Sequence, residues 1–354
     1  MEKVYKIIKS EADFLDLKAS WEELEIEYNS TYPSISFKWC YLWWSVFKNV
    51  ENNTIGYNKK LVIVCCYEND KLVLVAPLIQ LKRKIGTLKI TFLEFLGQQW
   101  GSIAITILKK YDFVFKDLME FIKNNVFYHI LYLRQIPIRE SNLFSQEIKK
   151  YSGSPYVVLT NYANMEDLKI KNYSKSLKQN IRTAYNRIRK DNLTFEMHNE
   201  EVCNDNFKDI VRLSKLKLID DKQCLYLDNN KALFYKEVFM HFPSNVVFVK
   251  VNDTNIAYRA NIIYNNNKIC IDASYDRNFK KYDPGIISVD CNFIDSFSKK
   301  LNVDNLGPGL DDYKLKFTKD IQYLGYLLIP GNLFGSLILT NIFKKYLNRK
   351  FNKL

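Results

Sequence analysis

VVFVKVNDTNIAYRANIIYNNNKICIDASYDRNFKKYDPGIISVDCNFIDSFSKKLNVDNLGPGLDDYKLKF, residues 246–317, is the stretch on which the fold turns. Residues 246–251 are almost wholly apolar and end in the polar pair Asn252-Asp253. Residues 256–264 and 269–275 read as two further strands, separated by the turn Asn265-Asn266-Asn267-Lys268. Lys281-Tyr282-Asp283-Pro284-Gly285 then signals a helix start, with Asp283 as cap and Pro284 at the first helical position. Ile286, Val289, Phe293, Phe297 and Leu301 recur at spacings of three and four, the apolar face of that helix. Residues 303–306 are a short strand, broken by Gly307-Pro308-Gly309. Three antiparallel strands feeding a helix whose N-terminus opens beside a splayed strand make a cradle for an anion.

Outward from this stretch the same order recurs. In the N-terminal half, Ser10 and Asp13 form a capping-box start, and Phe14, Leu17, Trp21, Leu24 and Tyr28 mark one helix face. Tyr32-Pro33 ends that helix and Ser36 caps a second, which contains Trp39, Leu42, Trp43 and Phe47. An aromatic stripe at helical spacing reads as core packing ahead of a ligand box. Residues 61–67 and 72–81 form a hairpin, residues 88–96 a third strand, 97–101 a loop, 113–126 a helix and 130–133 a strand. The second half supplies helices at 207–219 and 232–242 before the opening stretch. No repeat is visible residue by residue, so the duplication rests on element order alone. The division expected is an N-terminal domain over 1–158, a second over 159–330, and a basic amphipathic helix over 331–354.

The order of elements, the Tyr-x-Pro-Gly helix start (Tyr282 to Gly285) and the later Asp304 with Tyr313-Lys314-x-x-Phe317 together resemble the GNAT acyl-CoA N-acyltransferases. The group most similar is the BioF2-like or CelD-like acetyltransferases, neighbours of the FemAB-type aminoacyltransferases, and the likeness spans roughly residues 10–330. It implies a mixed α+β fold: tandem GNAT-like domains, each a mostly antiparallel twisted sheet flanked by helices. The first copy lacks the Asp-Pro-Gly start and is expected to be structural or acceptor-facing. The second is expected to be catalytic.

Direct acyl transfer from a thioester to an amine needs a site for the donor's phosphates, an oxyanion donor and a route for the amine's proton. Amides at Gly285, Ile286 and Ile287 are candidates for the pyrophosphate, with Lys280, Lys281 and Tyr282 beside them. If Asp283 caps the helix, its carboxylate competes for the same amides. The usual Arg/Gln-x-x-Gly-x-Gly/Ala loop is reduced here to Tyr282-x-x-Gly285-x-Ile287. Candidate bases are Asp272 and Asp276, which bracket the end of the third strand, and Asp304, which matches the family's Asp before the terminal glycine. Asp272, Ser274 and Asp276 share one parity. Arg259, mid-strand in an apolar run, has Asp272 as an expected partner, a pair that either orients an acceptor carboxylate or holds the sheet. The resemblance adds Tyr313 as a catalytic candidate, and Tyr275 and Lys314 as substrate contacts, with Phe317 as packing.

The chain of 354 residues has a net charge of +13, which suits an anionic partner (a nucleotide cofactor, nucleic acid or an acidic membrane) or simply a basic surface. A helix capped by Ser174, with Leu177, Ile181, Ala184 and Ile188 on one face, carries Lys175, Lys178, Arg182, Arg187, Arg189 and Lys190 on the rest. It reads as a solvated face, a phosphate-binding surface or a nucleic-acid stripe; no zinc-finger, RRM or helix-turn-helix pattern supports the last. The tail pairs an apolar block with Lys344, Lys345, Arg349, Lys350 and Lys353, and either docks as a closing helix or lies on an anionic membrane. Seven cysteines without a CxxC pair, mostly inside apolar runs, fit a reducing cytoplasm. Neither a signal peptide nor a membrane span is visible. His129, His198 and His241 have no metal-ligand spacing, and P-loop and GxGxxG patterns are absent. The function expected is N-acyl transfer from acetyl-CoA or another acyl-CoA, without a metal. The acceptor implied by the resemblance is an amine on a sugar, nucleotide-sugar or amino-acid-like molecule of polysaccharide or cell-envelope synthesis. Two alternatives stand beside it: FemAB-like aminoacyl transfer from tRNA, and a non-catalytic protein that binds an anionic glycan or membrane.

Overall fold

The computed structural model describes residues 3–98, 104, 106–110, 115–139, 148–218 and 224–340. Gln99-Trp100-Gly101, the first residues of the helix expected at 113–126, the end of the helix expected at 207–219, and the basic end of the tail lie outside them. The chain forms two compact units, Met1–Ser152 with the chain from Tyr323 onward, and Gly153–Gln322.

In the first unit, β1 (Lys3–Ile8) precedes α1 (Glu11–Asp16) and α2 (Lys18–Tyr28). The side chain of Ser10 accepts the Asp13 amide at 3.1 Å. The single helix expected across these residues is two, and Phe14, Leu17, Trp21 and Leu24 are buried along both. α3 (Phe37–Phe47) starts where Ser36 accepts the Trp39 amide at 3.1 Å. Its aromatic stripe is core: Trp39 is fully buried and its indole N–H donates to the Gly97 carbonyl at 2.9 Å. β2 (Tyr57–Glu68), β3 (Lys71–Ile85) and β4 (Leu88–Phe95) form an antiparallel meander, with β5 (Leu108–Lys109) on β3. α4 (Phe115–Asn125) then crosses to β6 (Ile130–Pro137), which runs parallel to β4.

The second unit begins in β7 (Lys149–Val158), then α5 (Met165–Asn172) and α6 (Lys175–Lys190). Ser174 caps α6 by accepting the Leu177 amide at 3.1 Å, and Leu177, Ile181, Ala184 and Ile188 are its buried face. β8 (Phe195–Glu200), α7 (Asn204–Leu218) and α8 (Asn229–His241) lead into β9 (Ser244–Val251), β10 (Thr254–Tyr264) and β11 (Asn267–Tyr275). These three strands are antiparallel, as their alternation requires. Both hairpin turns use Asn or Asp at positive φ, Asn252 (47°) with Asp253 (61°) and Asn265 (45°) with Asn266 (60°), the twist that two-residue hairpins favour. α9 (Pro284–Ser298) crosses over to β12 (Val303–Asn305), which runs parallel to β11 and antiparallel to β7. The sheet order is β7-β12-β11-β10-β9-β8. α9 covers one face of this sheet and α7 the other.

α9 departs from a one-faced amphipathic helix. Its polar residues Ser288, Asp290, Asn292, Asp295 and Ser296 are buried along with its apolar ones: Asn292, Asp295 and Ser296 meet polar side chains of the sheet, and Asp290 meets Tyr173 and Lys169 on the α5 side. After α10 (Asp312–Leu315), β13 (Ile321–Pro330) pairs antiparallel with β6, from Leu324 opposite Pro137 to Pro330 opposite Ile130. α11 (Leu333–Ile338) follows. The unit boundaries therefore fall at 152 and 322 where the sequence suggests 158 and 330, since β13 belongs to the first unit's sheet.

Candidate functional site

Two local features open a cleft in the second unit. Asp283, ahead of Pro284, takes a left-handed conformation, φ 49°, one that Asp tolerates better than most side chains. This turns the chain sharply from the short helical stretch Arg277–Tyr282 into α9. On the strand side, β10 carries Arg259 opposite Val247 of β9 and the small Ala273 of β11. Between the start of α9, the ends of β10 and β11, and Tyr313 lies a cleft of about 210 Å³, lined among others by Arg259, Ser274, Tyr275, Lys280, Asp283, Gly285, Ile286 and Tyr313.

Arg259 is 1% exposed, and its partners are neutral. One guanidinium nitrogen donates to the Leu306 carbonyl at 2.8 Å, Tyr313 shares the cleft wall and acts on its charge, and Nε has no partner. Burial works against its charge, but Cys270, Tyr313 and Asp304 outweigh it and hold the guanidinium protonated. The expected Arg259–Asp272 pair does not form. Asp272 lies opposite Ala260 while Arg259 lies opposite Ala273, so the two side chains leave opposite faces of the sheet. Asp272 instead sits on the α7 face, where the Tyr258 hydroxyl donates to it beside the hydroxyls of Tyr226 and Ser214, and burial pushes its carboxyl above the usual range.

Asp304 is wholly buried behind the cleft. It accepts from the Asn292 side chain at 2.7 Å and the Ser296 hydroxyl at 2.6 Å. Burial raises its pKa against the opposing pull of Lys268. Lys268, also fully buried, is bonded to Asp295, which further accepts from Asn245 at 2.9 Å and from Asn199. This network is a buried, hydrogen-bonded polar layer under α9, a pattern that specifies packing. Asp276 accepts the Asn278 amide at 2.9 Å and caps the stretch after β11. The structure thus separates the three carboxylates expected to act as bases: one on the opposite face, one in the core, one in a cap.

The cofactor candidates also divide. Lys280, Gly285 and Ile286 line the cleft. Lys281 is ion-paired with Asp191 at 2.8 Å, and the Tyr282 hydroxyl donates to the same carboxylate at 2.7 Å. Ile287 is core, and its amide donates to the Asp283 carbonyl at 3.1 Å; the Ile286 amide does the same at 3.0 Å. Of the three amides expected to cradle a phosphate, two are therefore turned into the helix. Asp283 makes no side-chain cap, so the expected competition of its carboxylate for these amides does not arise. The carboxylate lines the cleft, 3.6 Å from Arg187. This residue was read only as a cap.

Tyr275 lies under Gly285, where an added Cβ would meet its ring at 3.5 Å. Lys314 is buried and spends its ammonium on the Gly307 carbonyl (3.4 Å), the Pro308 carbonyl and Asp311 (3.1 Å), so it braces the loop after β12. Gly307 is obligatory in that loop: it has φ 81°, and a Cβ there would stand 2.6 Å from the Cys270 carbonyl oxygen. Phe317 is core, edge-on to Tyr173 and Phe293. Cys291, beneath the cleft, has its thiol pushed up to about 12 by burial and is no nucleophile at neutral pH.

No protein-family model and no curated protein matches the chain. Among solved structures it is similar to FemX, at 10% identity and a TM-score of 0.61 over 96% of this chain and 100% of that one. It is also similar to a conserved protein of unknown function from Bacteroides thetaiotaomicron VPI-5482, at 11% identity and a TM-score of 0.52 over 91% and 99% of the two chains. A third likeness is to the C-terminal DUF2156 domain of a putative lysylphosphatidylglycerol synthetase from Agrobacterium fabrum, at 11% identity and a TM-score of 0.50 over 86% and 95%. The matched residues extend over both units. The fold is the mixed α+β one that the sequence points to, with mostly antiparallel sheets flanked by helices. Among the described residues no helix is long and apolar enough to cross a membrane.

Proposed function

We propose that the chain is an N-acyltransferase of the BioF2-like or CelD-like kind, which moves an acyl group from acyl-CoA to an amine in the cleft of the second unit. The observation that carries this is buried Arg259 and half-buried Tyr313 on one cleft wall, with the Asp283 carboxylate lining the same space. Asp283 takes a proton from the acceptor's ammonium. The freed lone pair attacks the thioester carbonyl; the C–N bond forms as the carbonyl electrons move onto oxygen. That oxygen meets the Tyr313 hydroxyl, made a better donor by the guanidinium on the same wall, and the Gly285 amide. Collapse breaks the C–S bond, and the leaving thiolate takes the proton remaining on nitrogen. Asp304 acts only through the packing that supports Arg259. The acceptor belongs to the sugar, nucleotide-sugar or amino-acid-like amines of envelope chemistry, and the work is done in the cytoplasm.

A second reading keeps the transfer and changes the donor to an aminoacyl-tRNA ester. It is favoured by the engaged Ile286 and Ile287 amides, which leave a thin cradle for a pyrophosphate.

Calorimetric titration of acetyl-CoA and longer acyl-CoAs into the protein, beside Gly285→Glu, tests both. The Gly285 position has ordinary φ and room for a side chain, so the variant adds a negative charge at the cleft without straining the backbone. Micromolar binding that the variant loses supports acyl-CoA. No CoA binding by folded protein overturns it, and saturable binding of charged but not uncharged tRNA then selects the ester donor.

A further inference from the structure

A guanidinium 1% exposed ordinarily faces a carboxylate. Arg259 does not. Its one hydrogen-bond acceptor among the described residues is the Leu306 carbonyl, its Nε is buried without a partner, and no carboxylate among the described residues lies within ion-pairing distance. Asp304, the nearest acid to act on it through space, spends one oxygen on Asn292 and Ser296 and shares its charge with Lys268. The direct counter-charge is therefore missing from the protein, at a residue that lines a cleft.

The same cleft holds a carboxylate of its own, Asp283, which caps nothing. A space of about 210 Å³ with a buried guanidinium and a carboxylate on its walls is complementary to a small zwitterion. We propose, resting on the acyltransferase reading above, that the acceptor is an amino acid or short peptide, held by its carboxylate on Arg259 and by its amine at Asp283. A sugar amine lacks the group that Arg259 requires. A carboxylate matches the planar guanidinium through paired hydrogen bonds.

The test uses the intact protein and four probes: glycylglycine, glycylglycinamide, N-acetylglycine and glucosamine. Binding is read by calorimetry and by the Nε–Hε resonances of protein labelled with [15N]arginine. Glycylglycine is expected to saturate one arginine resonance and to bind roughly ten- to hundredfold more tightly than its amide, the loss expected for a charged hydrogen bond. Asp283→Asn, which keeps a residue tolerant of positive φ, weakens glycylglycine and leaves N-acetylglycine unchanged. Equal binding of acid and amide, or glucosamine binding as tightly as glycylglycine, overturns the assignment; neither needs an Arg259 variant that folds. Acetyl-CoA binding without any carboxylate response defeats this inference and leaves the acyltransferase reading intact. A saturable glycylglycine response without CoA binding does the reverse.

Discussion

Asp272 and Asp304 are alike in sequence, each a carboxylate on a short strand, and alike in fate, since burial raises the pKa of both. Asp290, bonded by the Tyr173 hydroxyl at 3.0 Å, is raised for the same reason. An acid raised on folding binds its proton more tightly in the folded state. Its stabilising form is the neutral one, fully present below the unfolded value of about 3.9 and lost as pH rises through the folded value. Thermal unfolding of Asp272→Asn beside wild type, from about pH 4 to about pH 8, is expected to show the wild type's advantage shrinking with pH by about 1.4 kcal/mol per unit of upward shift. An advantage that grows with pH would contradict a raised carboxyl. Asp283 stands apart because it reaches the cleft: Asp283→Asn is expected to cut acyl transfer by about a hundredfold or more, the usual contribution of a general base, with an unchanged unfolding midpoint. The identities of these residues were legible in the sequence. Their roles were not, because the side of the sheet on which a carboxylate lands depends on strand register.

α9 illustrates how far an element can be read. Its start at Pro284 and its apolar positions follow from local spacing. That its polar side is buried as well depends on Asn245, Asn261, Lys268 and Asp304 of the sheet beneath it, which no periodicity within α9 reveals. The consequence is a buried Lys268–Asp295 pair beneath the helix. Lys268→Met removes the buried cation from Asp295, leaving it only the part-exposed Lys299 at 3.2 Å, and is expected to cost about 3 kcal/mol, measured as a lower denaturant midpoint at unchanged slope. Loss below 1 kcal/mol (roughly the worth of an exposed pair) would mean that water reaches the network. Capping shows the opposite limit. Ser36 and Ser174 were legible as N-caps because a cap is a contact over three residues, and each does accept the amide three positions on. Ser174→Ala is expected to cost about 1 kcal/mol, seen as a small drop in the midpoint; an unchanged midpoint would show that α6 is held by its buried face alone.

In the whole molecule the feature without a local signal is the return of the chain to its first unit. β13 supplies the strand beside β6, so that the first unit's sheet is finished by residues that follow the second unit in sequence. A chain ended at Gln322 leaves the β6 edge unpaired and removes buried Leu324, Leu327 and Ile329. It is expected to lose protection from proteolysis in the first unit while hydrogen exchange in β9 to β11 stays slow; a protected first unit would show that β13 is dispensable. What the sequence by itself determined was the set of local pieces: strands with their Asn and Asp turns, capped helices, the Asp-Pro break that begins α9, and an element order that points to a tandem α+β fold. Each is decided within a few residues by backbone sterics, hydrogen-bond partners and side-chain period. Only the tertiary structure decided that Arg259 lacks the carboxylate expected beside it, that Asp304 is sealed in the core, that Asp283 turns into the cleft, and that β13 closes a sheet begun more than a hundred residues earlier. A shift of one position in register exchanges the two faces of a strand, and pairing between distant strands is chosen by the burial of the whole sheet.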